Sequence, residues 1–164
     1  MITLEELKPE QFELAAAWLS KKEINQWLTA EWRERTITAS VLAVAVRNRR
    51  NRIFVVHYQG QACGLASLAD IDTLDRTAMV WYLLGEPSLA GQGVTSEAVR
   101  QLTRLAFREM GLESVYAWIM EGNTPSQRVL RKAGFASAGR IRRATRSAER
   151  QVDRIYFDLV ADGV

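Results

Sequence analysis

Short apolar runs alternate along the chain with segments of helical spacing, and this pattern predicts a domain built from both strands and helices. The runs are rich in β-branched and aromatic residues, and turn-forming residues such as glycine, asparagine and aspartate stand between them. The predicted strands cover residues 1–7, 53–58, 62–69, 77–84, 114–120, 138–143 and 151–160.

Apolar residues at helical spacing predict the remaining elements. Helices are predicted at 9–19, in a short segment capped by Ser20, and at 36–50, 95–110 and 124–133. A helical crossover from 77–84 to 114–120 makes those two strands parallel. We therefore predict an α/β (α+β) fold, with a mixed, mostly antiparallel central sheet of about seven strands flanked by helices, in one domain over residues 1–164.

A glycine-rich turn joins the strand at 77–84 to the helix at 95–110. Gly91 and Gly93 stand just before the first helical turn, where the absence of side chains lets the main chain approach a ligand. The free N–H groups at the start of a helix attract phosphate. The turn is neither a Walker A loop nor a full G-x-G-x-x-G motif, since Ser96 takes the third glycine position. The spacing alone therefore leaves open an anion site and a simple turn.

Two sequence motifs that follow one another along the chain favour the anion site over a simple turn. The segment A-G-Q-G-V-T-S-E-A resembles the pyrophosphate loop of the GNAT superfamily of acyl-CoA N-acyltransferases, whose pattern is Q/R-x-x-G-x-G/A. Downstream, Asn123-Thr124-Pro125-Ser126 and Ala133-Gly134-Phe135 are similar to that family's N-x-x-S/A segment and closing G-F. The chain departs from the loop pattern at Ala90 and Thr95, which implies one side chain fewer on the pyrophosphate.

The resemblance implies acetyl-CoA as the cofactor, held where the strands at 77–84 and 114–120 splay apart. Ligands of open sheets sit at the carboxyl ends of strands where neighbouring connections diverge. Unpaired main chain at such an edge can bind the amides of a pantetheine arm as it would bind an extra strand. The residues expected to hold the cofactor are Leu83, Leu84, Gly85, Gly91, Gln92, Gly93, Val94, Thr95, Ser96, Asn123 and Ser126.

The reaction implied is direct attack of an amine on the thioester, which needs hydrogen-bond donors for the developing charges. A backbone N–H near Leu84 is the expected donor to the carbonyl. Many family members use a tyrosine on the last helix to protonate the leaving thiolate, and Leu130 stands at that position here. Ser126 and Asn123 are the expected replacements, although Asn123 is equally suited to be a helix N-cap.

An amine attacks only when it is neutral, so a proton acceptor is also expected. Glu86, just past the strand end, is the candidate base, and the single histidine, His57, is the alternative. The single cysteine, Cys63, lies in a predicted strand and is expected to be a buried structural thiol. No metal site is predicted.

The acceptor side is predicted from aromatic and acidic residues. Trp27 and Trp32 are expected to wall a substrate pocket, with core anchoring as the alternative. Asp70 and Asp72 lie one strand period apart and are expected to bind a cationic amine, or else to be turn residues. Basic residues form two groups, and solvated surface positions are the alternative for most of them. Candidates for the nucleotide 3′-phosphate are Arg128, Arg131 and Lys132, and candidates for an anionic substrate are Arg140, Arg142, Arg143, Arg146, Arg150 and Arg154.

Composition limits the other classes. The net charge of +3 is mild, and the arginine-rich segment at 144–150 has no interleaved aromatic residue, so no nucleic-acid partner is expected. The chain lacks an apolar stretch of membrane-spanning length and a recognisable signal sequence, so we expect a cytoplasmic protein without a membrane partner. A monomer or a homodimer is expected.

The pattern W-L-x-x-x-x-I-x-x-W-L and the later D-R-I-Y-F-D-L are similar to one branch of the superfamily. That branch includes ribosomal-protein N-terminal, amino-sugar and aminoglycoside 6′-acetyltransferases. The resemblance therefore implies an N-acetyltransferase acting on a small amine such as an amino sugar, with a protein N-terminus as the alternative acceptor. The departures at Ala90, Thr95 and Leu130 keep open a third possibility, a non-catalytic acyl-CoA-binding module.

Overall fold

The computed structural model of this chain describes residues 1–163. The strands are β1 (Ile2–Glu6), β2 (Arg52–Tyr58), β3 (Gln61–Asp72), β4 (Thr77–Leu84), β5 (Ser114–Met120), β6 (Ala136–Ser147) and β7 (Arg150–Val160). The α-helices are α1 (Phe12–Ser20), α2 (Lys22–Asn25), α3 (Ala30–Arg33), α4 (Ala39–Arg47), α5 (Val94–Arg108) and α6 (Thr124–Lys132).

The strands form one sheet in the order β1-β2-β3-β4-β5-β7-β6. Every neighbouring pair is antiparallel except β4 and β5, which are parallel and connected by α5. The predicted mixed sheet of seven strands, with its parallel pair after a helical crossover, is therefore confirmed.

Helices cover the sheet on both faces because its central strands are apolar on both sides. Along β4, Ala78 and Val80 pack with α5 and α6, whereas Trp81 and Leu83 pack with residues of α1 to α4. The two faces of β4 therefore belong to two separate clusters of the core, and a ligand that enters beside β4 can reach both.

β4 and β5 are paired only at their amino-terminal ends. In the described residues the pairing joins Thr77–Met79 to 114–116, and we call this three-residue pairing the seam. Beyond the seam the strands separate, which confirms the predicted splay and leaves main-chain groups without a strand partner on the facing edges.

The structure corrects several predicted boundaries. β3 continues through Asp72 because a bulge near Asp70, where φ is 49°, lets the strand turn without ending. β6 runs from Ala136 to Ser147, longer than predicted, because two bulges keep it paired with β7. The short helix α3 is not predicted by the apolar pattern, since its four residues do not complete a helical period.

The helix predicted at 36–50 is shorter, Ala39–Arg47. It begins at Ala39 because the hydroxyl of Thr38 accepts a hydrogen bond from the N–H of Val41 at 3.4 Å and so caps the helix. None of the helices in residues 1–163 combines the length and the apolar character that crossing a membrane requires.

Candidate active site

A cavity of about 650 Å³ fills the gap between β4 and β5. It runs from the loop before α5, past the splayed strands, to the segment that contains α2 and α3. The predicted site residues that line it are Trp27, Trp32, Leu83, Leu84, Gly91, Gly93, Val94, Thr95, Ser96, Asn123 and Ser126. Segments far apart in the sequence are therefore brought to one space.

The loop at 85–93, which we call the glycine loop, opens the first turn of α5 to this cavity. Gly91 and Gly93 have φ of 80° and 81°, a left-handed conformation that favours glycine. No described atom lies within 4 Å of a Cβ added at either residue, so the main chain is approachable from outside. Gly93 is the N-cap of the 15-residue helix α5, whose first N–H groups have no partner within the helix. This arrangement can bind an anion.

Gln92 lies between two glycines that line the cavity but is not itself part of the lining. Its side-chain amide turns back and donates a hydrogen bond to the carbonyl of Ser88 at 3.1 Å. Gln92 therefore stabilises the loop from the outside, and a side-chain contact with a cofactor is not supported by its placement.

The free edge of β4 presents main-chain donors to the gap. The N–H of Gly85 donates to the carbonyl of Cys63, on the β3 side, at 2.8 Å. Successive N–H groups of a strand point to opposite sides. The N–H groups of Leu84 and Tyr82 therefore point away from β3, toward the gap between β4 and β5.

Gly85 and Glu86 lie next to this edge but outside the cavity lining. A Cβ added at Gly85 would lie under 3.0 Å from the indole of Trp18, so glycine is required by packing rather than by a ligand. Trp18 Nε1 donates to Glu86 Oε1 at 3.3 Å. The structure therefore directs the Glu86 carboxylate toward α1, and the predicted role as general base is not supported by its position.

Asn123 and Ser126 lie where α6 begins, beside the carboxyl end of β5. The side-chain oxygen of Asn123 accepts a hydrogen bond from the N–H of Ser126 at 3.3 Å, so Asn123 is the N-cap of α6. The hydroxyl of Tyr82 donates to the carbonyl of Ser126 at 3.1 Å. Burial raises the pKa of Tyr82 above its ordinary range, so the phenol stays protonated and acts as a donor. Leu130, at the family's tyrosine position, is fully buried.

Four tryptophans wall the other end of the cavity, which we call the acceptor end. They are Trp27, Trp32, Trp81 and Trp118. The rings of Trp32 and Trp81 are 5.6 Å apart between centroids and inclined at 51°. Trp81 and Trp118 were not predicted from the sequence. Their position near the ends of the two parallel strands was the available signal.

Asp70 and Asp72 are not brought to the cavity. Asp72 pairs with Thr77, at the amino-terminal end of β4, whereas the β4 residues that line the cavity begin at Met79. Neither Asp70 nor Asp72 is part of the described lining. The carboxylate of Asp72 accepts the N–H groups of Asp75 and Leu74, which lower its pKa. It is therefore a turn residue, and the preferred prediction of amine recognition is not supported.

The remaining reactive side chains also lie elsewhere. His57 is part of β2, opposite Thr3 and Ala62, and does not line the cavity. Cys63 is buried, as expected, and its thiol donates to the carbonyl of Val56 at 3.4 Å. Burial raises the pKa of this thiol, which makes it a poor nucleophile.

The charge on the cavity wall has one sign. Among the described residues that line it, the ionised side chains are Arg128 and Lys132 of α6, and aspartate, glutamate and histidine are absent. Both cations belong to α6, the helix where phosphate-facing residues were predicted. Arg131 is not part of the lining. The wall therefore combines a cationic, amide-rich end with an aromatic end.

Comparisons with known proteins agree with this geometry. Residues 2–136 match the family model described as an acetyltransferase (GNAT) domain. The protein YdaF of Bacillus subtilis, named for ribosomal N-acetyltransferase activity, is 30% identical over 103 residues, which are 63% of this chain and 56% of the relative. A spermidine N(1)-acetyltransferase of Escherichia coli (strain K12) is 25% identical over 96 residues, 58% of this chain and 51% of the relative. These alignments span about half the length of the two relatives.

A solved structure shows the same fold over the whole domain. The spermidine N-acetyltransferase from Vibrio cholerae, in complex with CoA and spermine, has a TM-score of 0.88 with this chain. The alignment covers 99% of this chain and 96% of that chain at 18% sequence identity. A dodecameric structure of spermidine N-acetyltransferase from the same organism has a TM-score of 0.82 at 17% identity. At these identities the likeness establishes the shared fold.

Proposed function

We propose that this chain, which belongs to the GNAT family of acetyltransferases, acetylates the primary amine of a small molecule such as an amino sugar. Family membership identifies acetyl-CoA as the acyl donor. The acceptor is the subject of the proposal. The observation that carries it is a single cavity that joins the amino-terminal end of α5 to four tryptophans through the gap between β4 and β5.

The cofactor takes the end of the cavity next to the glycine loop. Its pyrophosphate binds the free N–H groups between Gly91 and Ser96, where the helix end is partially positive. Arg128 and Lys132 add positive charge for the remaining phosphate. The pantetheine amides pair with the β4 edge at Tyr82 and Leu84, so the thioester lies in the gap between the strands.

Acetyl transfer then needs two donors and a proton acceptor. The amine nitrogen attacks the thioester carbonyl, the C–S bond breaks, and the thiol and the amide are formed. A main-chain N–H of the β4 edge, at Tyr82 or Leu84, that is not paired with a pantetheine amide stabilises the oxyanion. Ser126 or the amide of Asn123, at the start of α6, donates to the leaving thiolate. Because the described lining has no carboxylate or imidazole, the amine loses its proton to water before attack.

The acceptor end supports a compact amine with a flat or apolar face. Trp32 and Trp81 form a tilted aromatic pair, and tryptophan faces stack well on the apolar face of a sugar ring. A cavity of about 650 Å³ that also holds the pantetheine arm leaves room for a small molecule.

A free-thiol assay with acetyl-CoA and an amine panel tests this proposal. The panel contains glucosamine, other amino sugars, spermidine and short peptides with free N-termini. We expect thiol release above the amine-free blank with amino sugars. The buried Cys63 thiol keeps the background low. If CoA binds in calorimetry but none of the amines in the panel causes thiol release, the proposal is overturned in favour of a non-catalytic acyl-CoA-binding module.

A protein N-terminus is the second candidate acceptor. It is favoured by the similarity to YdaF, which is named for ribosomal N-acetyltransferase activity. The same assay separates the two candidates, because turnover of peptides alone supports the protein acceptor and turnover of amino sugars alone supports the small molecule.

A further inference from the structure

Arg154 of β7 is a cation without a carboxylate partner beside the acceptor end. Its guanidinium lies over the Trp118 ring, 4.0 Å from the centroid. Its Nε is buried and has no hydrogen-bond partner, and the guanidinium makes no ion pair within residues 1–163. Two other arginines of the same hairpin are paired, Arg140 with Asp153 at 2.8 Å and Arg146 with Glu149 at 3.1 Å. Arg154 therefore differs from its neighbours on the hairpin.

The strand register brings Arg154 to the correct face of the sheet. Arg154 is opposite Met120, and Tyr156 is opposite Trp118, so Arg154 and Trp118 are diagonal neighbours on one face. Ala117 and Ile119 point to the other face, into the cluster with α5 and α6. Trp118 lines the cavity, which leaves the guanidinium one aromatic ring away from the acceptor end.

Carboxylates that share this region do not neutralise it. Asp158 is on the same face of β7 but four residues further along, about 13 Å of extended strand. Glu121 follows Met120, is exposed, and makes no ion pair with Arg154 among the described residues. Arg154 therefore keeps its positive charge without a carboxylate partner, among the described residues, beside the acceptor end. A positive potential in a confined aromatic space disfavours a second cationic group on the acceptor.

From these observations we propose that the acceptor carries an anionic group, a carboxylate or a phosphate, in addition to its amine, and that Arg154 is the residue that selects it. The inference rests on the proposed acetylation of a small amine and narrows its substrate class. It distinguishes this chain from a polyamine acetyltransferase, because a polyamine offers further cations where this site offers a guanidinium.

Matched acceptor pairs test the proposal. Glucosamine 6-phosphate is compared with glucosamine, and phenylalanine with phenethylamine, each with acetyl-CoA and thiol detection. We expect kcat/KM to favour the acid-bearing member by about 10-fold or more in the unaltered chain. In Arg154→Gln the ratio falls toward one, and in Arg154→Lys, which keeps the charge, most of the preference remains. The difference in amine pKa between the members of a pair contributes the same factor to the ratio in every variant, so it cancels when the ratios of the variants are compared.

Neither Arg142 nor Arg154 is part of the described cavity lining, but only Arg154 stacks on a tryptophan that is. Arg142→Gln is therefore the matched control, since it removes an exposed arginine of the same hairpin. Its ratio should equal that of the unaltered chain. The proposal is overturned if spermidine or the neutral member is preferred, or if Arg154→Gln lowers kcat/KM equally for both members, which indicates only that Arg154 orients the Trp118 ring.

A binding measurement separates this proposal from the proposed reaction. Calorimetry of the N-acetylated form of each probe, in the presence of CoA, needs no turnover. A preference for the acid-bearing form that Arg154→Gln removes supports the anion site even if no amine is acetylated. Equal binding of both forms overturns the anion site even if amino sugars are good acceptors.

Discussion

Replacing Gly85 by alanine tests how the end of β4 is positioned. The added Cβ would lie under 3.0 Å from Cδ2, Cε2 and Nε1 of Trp18, which is 2% exposed and has no free space to move into. Gly85 does not have a left-handed φ, so alanine adds no backbone strain. The clash with the indole is therefore the destabilising effect, and it acts one residue from the Leu84 N–H.

The magnitude follows from opposing contributions. Overpacking of a buried side chain costs about 1–3 kcal/mol, and weakening the bond from Trp18 to Glu86 adds about 1 kcal/mol. Alanine also restricts the conformations of the unfolded chain, which offsets about 0.4–1 kcal/mol of this loss of stability. We expect a net loss of about 2 kcal/mol, or about 4–8 °C in Tm for a chain of this size. We also expect slower acetyl transfer, because displacement of a catalytic group by about 1 Å can lower a rate about 100-fold.

Urea unfolding followed by circular dichroism measures the loss, and a double-mutant cycle assigns its cause. Trp18→Leu opens space where the alanine methyl group would clash. The loss of stability in the double variant should therefore be smaller than the sum of the two single losses by about 1–2 kcal/mol. Additive losses, or a Gly85→Ala variant as stable as the unaltered chain, would refute the packing argument.

Two further predictions concern the glycine loop and Tyr82. Gly93→Ala and Gly111→Ala both place alanine at a left-handed φ, 81° and 66°, with open space around the new methyl, so each should lose about 1 kcal/mol of stability. Only Gly93→Ala should also weaken CoA binding in calorimetry, by about 10-fold or more, and equal affinities would contradict an anion site at the glycine loop. Burial raises the pKa of Tyr82, so above pH ~10 the folded state keeps the phenol proton while the unfolded state loses it. The free energy of unfolding should therefore fall as pH rises beyond that value. In urea unfolding at pH 8 and 11, Tyr82→Phe should reduce this loss of stability. A smaller part of the loss should remain, because burial also raises the pKa of Tyr116. A pH dependence unchanged by Tyr82→Phe would count against the argument.

Main-chain requirements made the cofactor end of the site predictable. A left-handed turn favours glycine, a helix N-cap favours asparagine, and the first helical turn accepts proline, so Gly93, Asn123 and Pro125 each leave a recognisable pattern. The parallel pairing of β4 and β5 followed from the helical crossover, and their splay was implied by the family resemblance. These features are local in the chain, which is why a sequence pattern contains them.

The acceptor end depends on contacts between distant segments. Trp32, Trp81 and Trp118 lie on different elements and meet only because β4 and β5 diverge, and Arg154 comes from a strand later in the chain. The unsupported prediction for Asp72 has a related cause. The same sequence pattern is typical of a turn carboxylate and of an amine-binding carboxylate, and only the strand register shows where in the sheet Asp72 lies.

The seam divides the sheet into two halves, one of four strands and one of three. Long antiparallel ladders hold each half together, so rotating one against the other disturbs few main-chain hydrogen bonds. We expect such a rotation to change the width of the whole cleft without replacing any residue on its wall. Core substitutions at the pivot, for example at the fully buried Val115, can therefore change which amines fit. Substrate range in this chain is thus open to variation from sites that never touch a substrate.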